Sequence, residues 1–151
     1  MEKKVWGNSI WYLFHTVAEK IKEDKYLEQK DNLFKLLEIV LKNLPCPDCA
    51  EHATNAFKKV NKQNINNKET FKMLMLEFHN RVNKRLNKPV FTLEELNNKY
   101  KNANLNAILY NFRIVYNISI YNEKLIANAF HKNLQNKDLN NVLNQILQNC
   151  N

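Results

Sequence analysis

Cys46-Pro47-Asp48-Cys49 places two thiols within one helical turn of each other, and these are the residues of this 151-residue chain best suited to chemistry. Pro47 is a residue type favoured at the first position of a helix, so the pair sits where unpaired backbone N–H groups and the helix dipole favour an anion and make a thiol more acidic. Three uses of such a pair stay open at this level. It is a dithiol that cycles with a disulfide, half of a zinc site completed by His52 and by a distant His79 or Cys150, or two buried inert thiols. The sequence holds no second CxxC and no paired histidines of zinc-site spacing, and the redox dithiol is the favoured case. The strand–helix–strand pattern of a thioredoxin-like fold is absent too, so a redox pair here needs a bound cofactor to take its electrons.

Helical spacing supplies a place for such a cofactor. Trp11 and His15 are four residues apart on one predicted helix, His79 and Asn83 four apart on another, and Cys49 and His52 three apart on a third. Each pair lies at the edge of an apolar stripe, an arrangement that suits a flat heteroaromatic ligand held between helices. Lys84, Arg85 and Lys88 follow directly and can meet a pyrophosphate. A single histidine at such an edge is commonly an ordinary core residue, and a run of lysine and arginine is commonly a solvated face. Their conjunction with the CxxC is what points to a site.

The elements that must position these residues are helical. One glycine in the whole chain excludes Gly-rich phosphate loops and Gly-dependent hairpins, and three prolines leave few helix breaks. Apolar residues at helical spacing predict helices over residues 5–23, 27–44, 47–60, 68–87 and 92–100, with an Asn-rich loop at 61–67. Pro45 stops the second, and Lys88-Pro89 ends the fourth. Thr92 with Glu95 three residues on forms a capping-box pattern. Beyond residue 101 the texture turns apolar and Asn-rich, predicting two or three more helices, although the β-branched stretch 114–121 also allows a strand. With 23 Lys and Arg against 15 Asp and Glu, the net charge of +8 suggests an anionic partner without choosing among nucleic acid, a phosphorylated cofactor and an acidic protein. Apolar residues make up 44%, enough for a core, yet no run approaches the roughly 18 residues of a membrane span. Nor does the segment after Met1 have the pattern of a signal peptide, so a cytosolic chain is expected.

Three blocks together resemble a known family. They are Trp6-Gly7-Asn8-Ser9-Ile10-Trp11-Tyr12-Leu13-Phe14-His15, then Leu44-Pro45-Cys46-Pro47-Asp48-Cys49-Ala50-Glu51-His52-Ala53, then Phe78-His79-Asn80-Arg81-Val82-Asn83-Lys84-Arg85-Leu86-Asn87-Lys88-Pro89. In order and spacing they resemble the Erv/ALR FAD-linked sulfhydryl oxidases, in particular the minimal forms encoded by large DNA viruses, over residues 5–101. The resemblance implies an all-α four-helix bundle with a short fifth helix, holding FAD at its mouth, usually as a homodimer. It implies Cys49 as the sulfur nearest the flavin and Cys46 as the one that exchanges with the incoming dithiol. Contacts to FAD are implied for Trp11, His15, His79, Asn80, Val82, Asn83, Lys84, Lys88 and Tyr100, and more weakly for Gly7, Asn8 and His52. Tyr100 stands where many members have Trp.

The implied activity is FAD-dependent oxidation of dithiols with O₂ as acceptor and H₂O₂ as product. No metal, nucleic acid or membrane span is expected with it. Many cellular members carry a second cysteine pair on a mobile arm, and this sequence has only Cys150 besides the CxxC. The implied partner is therefore a separate dithiol protein, a small CxxC or thioredoxin-like shuttle, and the implied setting is host cytoplasm or virion, with the mitochondrial intermembrane space as the alternative. Residues 1–101 are expected to form the oxidase domain and 102–151 a helical extension for dimerisation or docking. Two rivals remain at this stage: a zinc-stabilised helical module binding nucleic acid or protein, and a structural adaptor with a degenerate flavin site.

Overall fold

Apolar stripes become helices in chain order: α1 (Lys3–Lys20), α2 (Tyr26–Lys42), α3 (Pro47–Lys58), α4 (Lys68–Arg85), α5 (Leu93–Tyr100), α6 (Leu105–Glu123) and α7 (Ala129–Leu147). The computed structural model describes the backbone of residues 2–123 and 129–151 and the side chains of 2–117 and 136–151. Among the described residues there is no strand, only an isolated antiparallel bridge between Ile21 and Cys150.

Local chemistry sets most of the helix ends. Pro47 opens α3 and Cys46 caps it, its sulfur accepting from the Cys49 N–H at 3.3 Å. Asn67 and Thr70 exchange side-chain to backbone bonds at the start of α4, a complete capping box. Thr92 caps α5 by accepting from the Glu95 N–H at 3.2 Å. The Asn-rich loop contains a single 3₁₀ turn, Lys62–Asn64. Helix α4 stops earlier than its apolar pattern suggests, because Asn87 adopts a left-handed conformation with φ 57°. Its N–H bonds the Lys84 carbonyl at 3.2 Å and the Lys88 N–H bonds the Asn83 carbonyl at 2.8 Å, the paired closure of a Schellman motif. This turn reverses the chain and delivers Lys88 and Pro89 to the bundle mouth.

Residues 114–121 are helical, not extended. Leu109, Phe112, Val115 and Tyr116 are buried at helical spacing, and that stripe overrides the β preference of the branched residues beside it. Helix α1 packs against α4, α5 and α6, while α2 packs against α3 and α7. Leu109, Phe112, Val115, Tyr116, Leu139, Val142, Leu143 and Ile146 therefore join Leu13, Phe14, Val17, Leu33, Leu36 and Val40 in one core.

Polar ties fix the same geometry. Lys72 of α4 pairs with Glu19 of α1 at 2.8 Å, both largely shielded, and the Lys20 ammonium donates to the Lys101 carbonyl at 2.8 Å. Asn32 of α2 donates to Gln145 of α7 at 2.8 Å. Past α7 the backbone runs antiparallel to the end of α1, with the Lys22 N–H bonding the Asn149 carbonyl at 2.9 Å and the Asn151 N–H bonding the Lys20 carbonyl at 2.7 Å. No described helix is long and apolar enough to cross a membrane.

Candidate active site

The end of the bundle formed by α1, α3, α4 and α5 opens into a cavity of about 600 Å³, within the size range of small-molecule sites. Gly7, Asn8 and Trp11 line it from α1, Cys49 from α3, His79, Val82 and Asn83 from α4, and Tyr100 from α5. Positions 7, 8 and 11 share one helical face, as do 79, 82 and 83, so two helices each present a row of site residues across the same gap.

Four rings stack along one side. Trp11 lies on His79 with centroids 4.1 Å apart and planes 6° from parallel. His79 in turn meets His15 at 5.1 Å, and His15 meets Tyr100 at 5.1 Å. The two imidazoles share a hydrogen bond, His15 Nε2 to His79 Nδ1 at 2.8 Å, in which one ring donates and the other accepts. Burial drives both histidines toward the neutral form. His15 is lowered to about 3 by burial, then by His79 and Lys99, and His79 to about 4 by burial, then by Lys99 and Lys88. Their rings are thus uncharged at neutral pH.

Cations gather around the opening: Lys3, Lys4, Arg85, Lys88 and Lys99 all line it. Lys99 stands over the rings of Tyr12, Phe91 and Tyr100 at 5.0, 5.6 and 5.6 Å. Gly7 supplies a direct test of fit. A Cβ built there meets no atom within 4 Å, so the glycine leaves open space against the α1 backbone that the protein itself does not use. A stack of aromatic rings, an open stretch of backbone and a cluster of cations suit a ligand with a fused ring system and a pyrophosphate, and FAD has both.

The two thiols differ in character. Cys46, at the α3 cap, is made more acidic chiefly by the hydrogen bond that it accepts from the Cys49 thiol, with the Cys49 N–H and Lys3 adding to it. Cys49 faces the cavity and is made less acidic, first by burial and then by donating to Cys46, while Lys3 acts in the opposite sense. In the free dithiol Cys46 is therefore the more acidic of the two.

Some of the expected residues lie elsewhere. His15 stands behind His79 and does not line the main cavity. Asn80 points its amide at the loop before α5, donating to the Phe91 carbonyl and accepting from the Phe91 N–H, each at 2.8 Å. Lys84 and His52 are exposed and outside the cavity lining. Arg85, singled out from the sequence for a pyrophosphate, does line the cavity, and the structure adds Lys3, Lys4, Trp6, Tyr12, Phe78, Phe91 and Lys99. Lys99 adjoins a residue singled out from the sequence, whereas Lys3 and Phe91 carry no local signal. The zinc reading needs ligands that converge, and among the described residues no three His, Cys, Asp or Glu side chains gather to hold a metal ion. Cys150 packs beside Ile21 at the opposite end of α1, its thiol pushed up to about 11 by burial.

Comparison with known proteins agrees with this geometry. The model of the Erv1/Alr family matches residues 8–101. An African swine fever virus protein (isolate Tick/Malawi/Lil 20-1/1983) named FAD-linked sulfhydryl oxidase is 33% identical over 105 residues, covering 70% of this chain and 87% of that protein. The FAD-linked sulfhydryl oxidase ERV1 of Oryza sativa subsp. japonica is 30% identical over 66% of this chain and 51% of its own length. The mitochondrial FAD-linked sulfhydryl oxidase ERV1 of Saccharomyces cerevisiae is 30% identical over 64% and 51%. No solved structure matches the chain. The matched segment begins at Asn8 on α1 and ends at Lys101 just past α5, so it contains most of the residues that wall the cavity, and the chain belongs to the Erv1/Alr family.

Proposed function

We propose that this protein is an FAD-dependent thiol oxidase, converting partner dithiols to disulfides with dioxygen as acceptor and H₂O₂ as product. One observation carries the reading: Cys49 of the CxxC opens onto the same cavity whose walls hold the ring stack, the open backbone at Gly7 and the cations. Trp11, His79 and Tyr100 would hold the flat rings, Gly7, Asn8, Val82 and Asn83 would close around them, and Lys88 with Arg85 and Lys99 would neutralise the pyrophosphate. When bound, FAD supplies the two-electron acceptor that dioxygen then reoxidises.

The protein's own chemistry is disulfide exchange. A partner thiolate attacks Cys46, the member of the pair outside the cavity lining, and a second partner thiol resolves the mixed disulfide, leaving Cys46 and Cys49 reduced beside the cavity. Cys150, half-buried at the far end of α1, is remote from this pair. The incoming dithiol must belong to another molecule, and a small CxxC or thioredoxin-like protein fits. The setting in this reading is host cytoplasm or virion, with the mitochondrial intermembrane space as the alternative, and relatives from both a virus and a mitochondrion align with the chain.

Residues 1–101 form the oxidase unit in this reading, and 102–151 an extension whose described apolar residues brace α1 and α2. A homodimer would therefore pair through another surface. Tyr110 and Ile114, exposed one turn apart on α6, offer an apolar one.

Purified protein should be yellow and should consume oxygen when given dithiothreitol. Cys49→Ser should abolish that uptake. Colourless protein carrying stoichiometric zinc would overturn the reading, and yellow protein inert toward dithiols would make it an adaptor.

A further inference from the structure

Lys99 stands at the mouth of the cavity with no acid to hold it. Glu95 precedes it by one turn of α5, the spacing at which a carboxylate and a lysine pair on a helix surface. That pair does not form: among the described residues the ion pairs are Lys25–Glu28, Lys42–Glu38 and Lys72–Glu19. The ammonium lies instead 5.0 Å from the ring centre of Tyr12, 5.6 Å from that of Phe91 and 5.6 Å from that of Tyr100, within cation–π reach of all three. All four residues line the cavity. Its other cations, Lys3, Lys4, Arg85 and Lys88, stand over no described ring.

Holding a lysine with rings differs from holding it with an acid. A carboxylate cancels the charge that it pairs with, whereas an aromatic face attracts the ammonium through its quadrupole and leaves the net charge whole. A lysine so placed still attracts an anion at the opening, and part of the side-chain freedom that binding would remove is already gone. Tyr12 is the ring best suited to this task. It is the nearest of the three, and it reaches Lys99 from α1, across the mouth from α5. Phe91 and Tyr100 pack in a small core cluster with Leu76 and Leu96, while Tyr12 is 39% exposed and meets Tyr100 edge-on at 6.2 Å. We infer that Tyr12 is a positioning residue for FAD, its ring holding the uncompensated Lys99 ammonium over the cavity mouth to meet the pyrophosphate. The inference rests on the reading that the cavity takes FAD, and adds a residue outside the contacts that the family resemblance implies.

A double-mutant cycle on FAD affinity tests it, read by quenching of flavin fluorescence in titrations of cofactor-free, full-length protein. Tyr12→Leu should weaken binding about fivefold, and Tyr12→Phe, which keeps the ring face, by less than about twofold. Lys99→Met should weaken it about tenfold. In the Lys99→Met background Tyr12→Leu should change the affinity by less than about twofold, because the ammonium that it positions is gone. Equal losses from Tyr12→Leu with and without Lys99, or a loss in Tyr12→Phe as large as in Tyr12→Leu, overturn the assignment. Unmodified protein that takes up no FAD would instead overturn the flavin reading itself, so the two failures are distinct.

Discussion

His15 and His79, 64 positions apart in sequence, are joined ring to ring by a 2.8 Å hydrogen bond that is lost when both rings are protonated, since one nitrogen must accept. Folding holds both well below their ordinary value, at about 3 and about 4. At pH 7 and above, folded and unfolded chains alike keep them uncharged. Between about 6.5 and 4 the unfolded chain binds more protons, so stability falls as pH falls, by up to about 1.4 kcal/mol per pH unit for each histidine. Urea unfolding of the cofactor-free protein from pH 7 to 5 should show this loss. His79→Gln should flatten it, and equal slopes in the two proteins would refute the neutral pair.

Gly7 separates stability from ligand binding. It lies inside α1 at a conformation any residue accepts, and a Cβ there meets nothing. Gly7→Ala should therefore raise the stability of the cofactor-free protein by about 0.5–1 kcal/mol, the usual gain on replacing a helical glycine. The same methyl group projects where FAD would lie, so FAD affinity should drop. A thermal melt paired with a flavin titration reads both, and unchanged affinity would show that the space serves no ligand.

Asn80 positions a cavity wall through backbone. Its two 2.8 Å bonds to Phe91 hold the loop that carries Lys88, Pro89 and Phe91 to the opening. Asn80→Ala leaves both Phe91 backbone groups without that partner, costing about 1–3 kcal/mol. Weaker FAD retention with an intact helical signal in circular dichroism is the expected result. Wild-type retention would mean that the loop holds itself.

Phe112 reports on whether α6 belongs to the same cooperative unit as the family segment. It is 1% exposed in the core shared with α1. Phe112→Ala should cost about 3–5 kcal/mol and lower the single unfolding transition of the whole chain. Two transitions, with the flavin signal following the unaffected one, would instead make 102–151 an independent module.

Much of the site was legible in the sequence because helical spacing is local. Trp11 precedes His15 by one turn and His79 precedes Asn83 by one turn, so their shared faces follow from pitch alone, and the CxxC announces its helix start through Pro47. The sequence was less informative where position depends on packing between distant segments. Lys3 and Cys49 line one cavity although they stand on different helices, and Phe91 lines it from a loop that Asn80 holds. His52 and Lys84 show the converse: they sit beside motif residues, yet their helix faces turn outward. The β-branched stretch 114–121 misled for a similar reason, since its conformation follows from the stripe it presents to α1 and not from its own preference.

The short pairing of Ile21 with Cys150, closed by the Asn151 N–H on the Lys20 carbonyl, is the longest-range backbone link described in the chain. Closing a loop of that length is entropically slow compared with forming a helical turn, and contacts of high sequence separation retard folding. Helix α1, which furnishes the first wall of the cavity, is thus sealed at its far end by residues synthesised long after the CxxC. During synthesis every residue that lines the cavity emerges before Cys150 does, so this clasp on α1 closes only after the cavity's own walls have been made.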